Sequence, residues 1–291
     1  MGSRIRNDRL SDSSRSGATL PSRQKPLHAG TGAVPGFFRS SLRLLILLAT
    51  LIEIAVRFLV VRLRHRSGLQ LWHRAQWLHA SCALILRRLK ISLEFRGQRP
   101  SQGLICSNHL SYLDILVYAA TTPCVFVSKQ EVSRWPAFGF FARAGGTIFL
   151  DRQRRASAEK AARQMTAVLE AGVPILLFPE GTSTDGVEVL RFHPTLLEPA
   201  VPLSMEIAPA AISYRAPGVE ERQLCWYGDA PFVPHLVRTL ARSGVSAEVE
   251  FFPDRSAYAN RKMAALELHD KVEAMRNRMK RETAIGDRLS N

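Results

Sequence analysis

The segment Asn108-His109-Leu110-Ser111-Tyr112-Leu113-Asp114 holds a histidine and an aspartate five residues apart, directly after the apolar run Gly103-Leu104-Ile105-Cys106-Ser107. Imidazole titrates near neutrality, so it can take a proton from a hydroxyl and return it, and a neighbouring carboxylate can orient it. On a regular helix, residues five apart point about 140° from each other. The two side chains therefore meet only if His109 lies in a turn and Asp114, in the first helical turn, folds back toward it. Ser107, Asn108 and Ser111 bring the capping chemistry such a turn needs. Taken alone, the pair reads equally well as a capped helix start.

Two further segments have the same form, an apolar run ending in reactive residues. In Gly145-Gly146-Thr147-Ile148-Phe149-Leu150-Asp151-Arg152 a short strand closes on an acid and a base, with Arg154 and Arg155 beyond. Arginine at a strand end suits a phosphate or carboxylate; the competing reading is a solvated charge cluster opening the next helix. In Leu176-Leu177-Phe178-Pro179-Glu180-Gly181-Thr182-Ser183-Thr184-Asp185-Gly186, backbone N–H groups and a threonine hydroxyl can face a ligand, and Gly181 permits close approach. Glu180 can bind a hydroxyl or hold an arginine such as Arg152. The competing reading is a structural turn.

These segments need a scaffold that gathers strand ends. Short β-rich runs alternate with helical patterns from residue 91 onward. Strands are expected over 91–96, 103–106, 124–127, 147–150, 174–178, 207–214 and 247–252, and helices over 113–120, 136–144, 157–171, 195–200, 232–242 and 261–282. The alternation predicts an α/β domain over 91–291, with a mostly parallel central sheet flanked by helices. In such sheets ligands gather at the carboxyl ends of strands, and all three segments lie there.

Charge is distributed unevenly. Residues 1–99 carry 18 Lys and Arg against 4 Asp and Glu, whereas residues 100–291 carry 22 against 21. Residues 1–36, rich in Ser, Arg, Gly and Pro, read as a disordered basic tail. Residues 37–90 read as a membrane-associated helical hairpin. Its first arm is the apolar run 42–61, interrupted by Glu53 and Arg57, which are four apart and can pair. That favours an interfacial or shallowly embedded helix over a clean span. The second arm, 71–89, sets Trp72 and Trp77 among Arg74, Arg87, Arg88 and Lys90, as suits headgroup depth; packing of both arms on the core is the alternative. No small-residue cleavage site follows, so no removable signal peptide is expected. The apolar arms argue against a nucleic-acid-binding arm. Four scattered cysteines and eight histidines form no metal-ligand spacing, so neither metal nor cofactor is expected.

Together, in this order and spacing, Asn108-His109 through Asp114, Gly146 through Arg152, and Phe178-Pro179-Glu180-Gly181-Thr182 resemble the glycerolipid acyltransferase family. Ile207-Ala208-Pro209-Ala210 is a weaker fourth match, and the resemblance covers roughly residues 90–215. It implies that fold, and transfer of an acyl group from acyl-CoA or acyl-carrier protein to a lysolipid hydroxyl in phospholipid biosynthesis. The acceptor it implies first is 1-acylglycerol-3-phosphate, converted to phosphatidate, with another lysolipid such as lyso-ornithine lipid as the alternative. It further implies His109 as general base, Asp114 as its orienting partner, and Asn108, Arg152, Glu180, Gly181 and Thr182 as substrate-binding residues. The partners implied are membrane lipids, with the catalytic domain on the cytosolic face of the inner membrane. The chain departs from many phosphatidate-forming members at Ser183, where they carry arginine, and at Phe192-His193-Pro194-Thr195, where they tend to have Phe-Lys-x-Gly. Those departures look closer to branches acting on other lysolipids, including lyso-ornithine lipid. A protein that keeps the fold for lipid binding or scaffolding alone is the alternative from another class.

Overall fold

The structure, a computed structural model, describes residues 34–66, 68–151 and 153–289. Most of the expected basic tail, 1–33, and the expected substrate residue Arg152 lie outside the described residues.

Seven strands form one sheet: β1 (Ser92–Arg96), β2 (Leu104–Ser107), β3 (Val125–Lys129), β4 (Ile148–Leu150), β5 (Ile175–Leu177), β6 (Ile207–Arg215) and β7 (Ser246–Phe251), in the order β1-β7-β6-β2-β5-β3-β4. All neighbours run parallel except β6 and β7. Parallel strands covered on both faces read as unbroken apolar runs, and β2 is buried at all four positions. Its Ile105 packs into a core with Leu176, Val117 and Tyr118, while Leu104 and Cys106 pack into the opposite core with Ile175, Leu177 and Met165.

The first core is roofed by α2 (Leu71–Leu89) and α3 (Leu113–Thr121), with α1 (Val34–Arg64) and α6 (Phe232–Ala241) packed outside; α4 (Phe138–Ala144) lies at its edge. The second core lies under α5 (Arg155–Glu170) and α7 (Arg261–Leu289). The helix expected over 195–200 is instead two short 3₁₀ turns, Pro194–Leu196 and Glu198–Ala200. Pro199 explains the break, because its ring removes a donor and clashes with the preceding helical turn.

The arms α1 and α2 pack on each other and on the body. Trp77 donates to the Ile54 carbonyl at 3.1 Å, and its ring lies tilted against Phe58 with centroids 4.7 Å apart. Glu53 pairs with Arg57 at 2.6 Å, as the spacing predicts, and also with Arg88 of α2 at 2.6 Å. The outer face of α1 exposes Leu45, Leu48, Ile52, Val56, Leu59 and Leu63. By length and composition, α1 is able to cross a membrane.

Candidate active site

Strand β2 ends at Ser107 and the chain turns sharply before α3. Asp114 enters in the first turn of α3, fully buried, and its carboxylate reaches backward. Its Oδ2 accepts from His109 Nδ1 at 2.7 Å, from the Leu110 N–H at 2.7 Å and from the Ser111 N–H at 3.1 Å. Its Oδ1 accepts from the Tyr214 hydroxyl at 2.6 Å. With donors converging on both oxygens, the histidine bond is Nδ1–H to Oδ2, which leaves the Nε2 lone pair free for a substrate proton. The expected fold-back is thus present, but the expected capping is not. Asp114 itself ties down the turn, Ser111 Oγ gives only a 3.4 Å contact to the Leu113 N–H, and Ser107 Oγ instead meets the Tyr118 hydroxyl at 2.5 Å.

The His109 ring stacks on Phe178 at the end of β5, with centroids 4.1 Å apart and planes 13° from parallel. The loop after Phe178 also clasps the backbone of His109. Glu180 Oε1 accepts the His109 N–H at 2.7 Å, and the Thr184 N–H donates to the His109 carbonyl at 2.9 Å. Glu180 Oε2 accepts the Leu190 N–H at 2.7 Å. Burial pushes the Glu180 carboxyl up to about 7, against the pull of those two backbone donors. Gly181 sits at φ 73°, a left-handed conformation that favours glycine, and turns the chain so that Thr182 and Ser183 reach the cleft wall.

That cleft, about 560 Å³, is lined by His109, Phe178, Gly181, Thr182, Ser183 and, across it, Lys129 and Asp151, among others. The three strand-end segments therefore meet at one place. Two expected substrate residues are turned elsewhere. Asn108 is buried, and its amide completes a two-bond tie to β6, donating to the Ile212 carbonyl at 3.2 Å and accepting the Ile212 N–H at 2.9 Å. Glu180 spends both oxygens on backbone N–H groups, rather than facing a hydroxyl.

Sequence reasoning missed Tyr214, which reaches Asp114 from β6. It also missed Trp226, which lines the cleft and accepts at its carbonyl from the Ser183 hydroxyl at 2.5 Å. Further out, the buried Arg276 of α7 binds Glu221 at 2.8 Å and the Ile212 carbonyl at 2.9 Å, while Glu221 accepts the Tyr214 N–H at 2.9 Å. None of these belongs to a local motif; an arginine at position 276, at helical spacing with Val272, Met275 and Met279, was the one available signal.

A family profile described as Acyltransferase matches residues 90–213. The lyso-ornithine lipid O-acyltransferase of Rhodobacter capsulatus is 38% identical over 83% of this chain and 89% of its own length. A 1-acyl-sn-glycerol-3-phosphate acyltransferase of Neisseria meningitidis is 28% identical over 65% of this chain and 74% of its own. The crystal structure of the 1-acyl-sn-glycerophosphate acyltransferase from Thermotoga maritima superposes with a TM-score of 0.60 over 83% of this chain and 98% of that one, at 16% identity. Sequence match, fold and the gathering of three motifs at one cleft agree, and the chain belongs to the glycerolipid acyltransferase family.

Proposed function

We propose that this acyltransferase moves a fatty acyl group from an acyl thioester to the hydroxyl of a lysolipid, with lyso-ornithine lipid as the acceptor. The observation that carries the reading is the 2.7 Å bond between His109 and Asp114 at the wall of the cleft. In this mechanism the acceptor hydroxyl approaches His109 Nε2. The imidazole takes its proton while the oxygen bonds to the thioester carbonyl carbon. The C–S bond then breaks, and the imidazolium returns the proton to the departing thiolate. Asp114 holds the ring in one tautomer and offsets its transient charge. The acyl group passes directly, without an acyl-enzyme.

The remaining expected residues divide into two roles. Glu180 and Asn108 work by position, one holding the His109 backbone and the other tying the end of β2 to β6. Gly181 and Thr182 face the acceptor, and Arg152 is assigned to its polar head by the resemblance. Relatives from Rhodobacter, Rhizobium and Pseudomonas bearing the lyso-ornithine name support the acceptor, as does Ser183, whose hydroxyl is occupied by Trp226 where an arginine would reach a phosphate. The Neisseria relative favours a second reading, acylation of 1-acylglycerol-3-phosphate. The donor is acyl-CoA or acyl-carrier protein, both anionic carriers that suit a basic surface.

The exposed apolar face of α1 seats the enzyme in the membrane where its acceptor resides. Arg62, Arg64, Arg87 and Arg88 near the helix ends, and four buried unpaired cysteines, support the cytosolic face of the inner membrane. The test is purified full-length enzyme, one labelled acyl-CoA, and lysolipids differing only in headgroup. Preferential labelling of lyso-ornithine lipid is expected. Preference for 1-acylglycerol-3-phosphate would replace the acceptor, and no transfer to any lysolipid would overturn the reading.

A further inference from the structure

The aromatic residues beside the cleft form one cluster drawn from several segments. Trp135, which follows the 3₁₀ turn Gln130–Arg134, and Trp226, which lies beyond β6, both line the His109 cleft. Their rings meet edge to face with centroids 5.9 Å apart. Phe232 of α6 touches both, at 5.7 and 6.2 Å, and reaches Tyr112, in the turn before α3, at 4.9 Å. Phe138 of α4 covers the outer side, 5.1 Å from Phe232. A tight turn separates Trp135 from Phe138. Ala137 has φ 58°, and the Phe138 N–H donates to the Pro136 carbonyl at 2.6 Å, so Trp135 joins the cleft wall while Phe138 emerges at the surface.

Outside this cluster the apolar side chains continue onto the surface. Phe138 and Phe140 of α4 and Val233 and Val237 of α6 are all exposed, Val233 by 64%. They are not an isolated patch. Phe140 lies edge-on to Phe58 of α1 with centroids 6.3 Å apart. At the far end of α6, the Ala241 and Leu240 carbonyls accept from Arg39 and Arg43 of α1, each at 3.1 Å. The rim is thus continuous with α1, whose outer face is apolar and exposed. Its charge has one sign. Residues 132–144 and 230–242 contain Arg134, Arg143, Arg238 and Arg242, and no Asp or Glu. Exposed apolar groups among arginines match the acyl boundary of a leaflet with anionic heads. Continuity with α1 favours that occupant over a soluble acidic protein.

We propose that the α4–α6 rim is a second lipid-contact surface, which sets the mouth of the His109 cleft against an anionic leaflet so that the acceptor enters without leaving the bilayer. The proposal rests on the seating of α1 in the membrane and goes beyond it: α1 holds the enzyme, and the rim orients it.

The four native cysteines are buried, so a single surface cysteine takes a polarity-sensitive fluorophore selectively. The test places the label in full-length Val233→Cys and Phe140→Cys, in Val56→Cys on the outer face of α1, and in Glu267→Cys, exposed on α7 across the sheet. Each is mixed with phosphatidylglycerol–phosphatidylcholine vesicles, with and without brominated acyl chains. The labels at Val56, Val233 and Phe140 should shift to the blue and be quenched by bromine, and the label at Glu267 should do neither. Silence at Val233 and Phe140 with a response at Val56 would overturn the rim and leave the seating of α1 standing. Silence at all four positions would overturn both. A second measurement reads the consequence for turnover. Phe140→Gln combined with Val233→Gln, compared with the native protein per membrane-bound enzyme, should lower kcat/KM for vesicle-borne lyso-ornithine lipid at least about tenfold. The same variant should keep its melting temperature and the native rate on a short-chain, monomeric form of that lipid. Equal loss on both forms, or no loss on either, would overturn the role of the rim at the cleft.

Discussion

The Asp114 carboxylate is the fixed point from which the histidine is set. Among the described residues four donors reach it, and only one comes from outside its own turn, the Tyr214 hydroxyl at 2.6 Å. Tyr214→Phe removes that bond inside the core and should lower stability by about 1–3 kcal/mol. It should also lower kcat several-fold with KM little changed, because the ring loses a brace while the cleft wall keeps its shape. Steady-state kinetics beside a denaturant titration checks both. Glu180 offers a prediction with a definite sign. Its folded pKa, about 7, lies above the ordinary 4.5. A carboxyl raised in the folded state contributes stability below the unfolded pKa, and that contribution is lost as pH rises through the folded pKa. The native protein should therefore lose about 3 kcal/mol relative to Glu180→Gln between pH 4.5 and pH 7. A pH-independent stability difference between the two proteins would contradict this.

Among the elements, β6 and α7 do most to place the site from outside its motifs. Arg276 is 1% exposed and joins the Ile212 carbonyl, the Gly186 carbonyl and Glu221, which in turn accepts the Tyr214 N–H. Arg276→Met leaves Glu221 without its charged partner and the Gly186 carbonyl without its donor, and should cost about 3–5 kcal/mol, read as a lower chemical-denaturation midpoint. These tertiary ties also explain what was legible in the sequence. Strands β2 and β5 were readable because burial on both faces leaves continuous apolar runs, whereas β1, exposed at four of its five positions, has no such run. The His109–Asp114 pair was readable because both partners lie within one turn. Tyr214 is 100 residues from Asp114, and the Glu180 contact to the His109 N–H spans 71, so local spacing carries neither. Pro199 is the case where a periodic pattern misled, since the run 195–200 has helical spacing but cannot keep helical hydrogen bonds through the proline.

For the whole molecule, the division of charge along the chain matches a division of labour. The basic, apolar third gives α1 and α2, and an electrically balanced body carries the cleft. The inner face of α1, through Ile54, and nine of the 19 residues of α2 are buried. Deleting 1–90 would therefore strip the fold as well as the membrane contact. Charging the outer face alone separates the two effects. Leu45→Asp, Ile52→Asp and Leu59→Asp together should release the enzyme from vesicles in a sedimentation assay, with the melting temperature of the detergent-solubilised protein changed little. Release accompanied by collapse of the melting transition would show that this face belongs to the fold.

The central claim is that His109, oriented by Asp114, removes the proton from a lysolipid hydroxyl. Its most direct test is the rate of acyl transfer from labelled acyl-CoA to lyso-ornithine lipid by purified His109→Ala, beside the native enzyme at saturating substrates. General-base catalysis is worth about 10²–10⁴-fold, so the variant should be slower by at least about 100-fold while retaining its melting temperature and vesicle binding. Native-like turnover by folded His109→Ala would contradict the account.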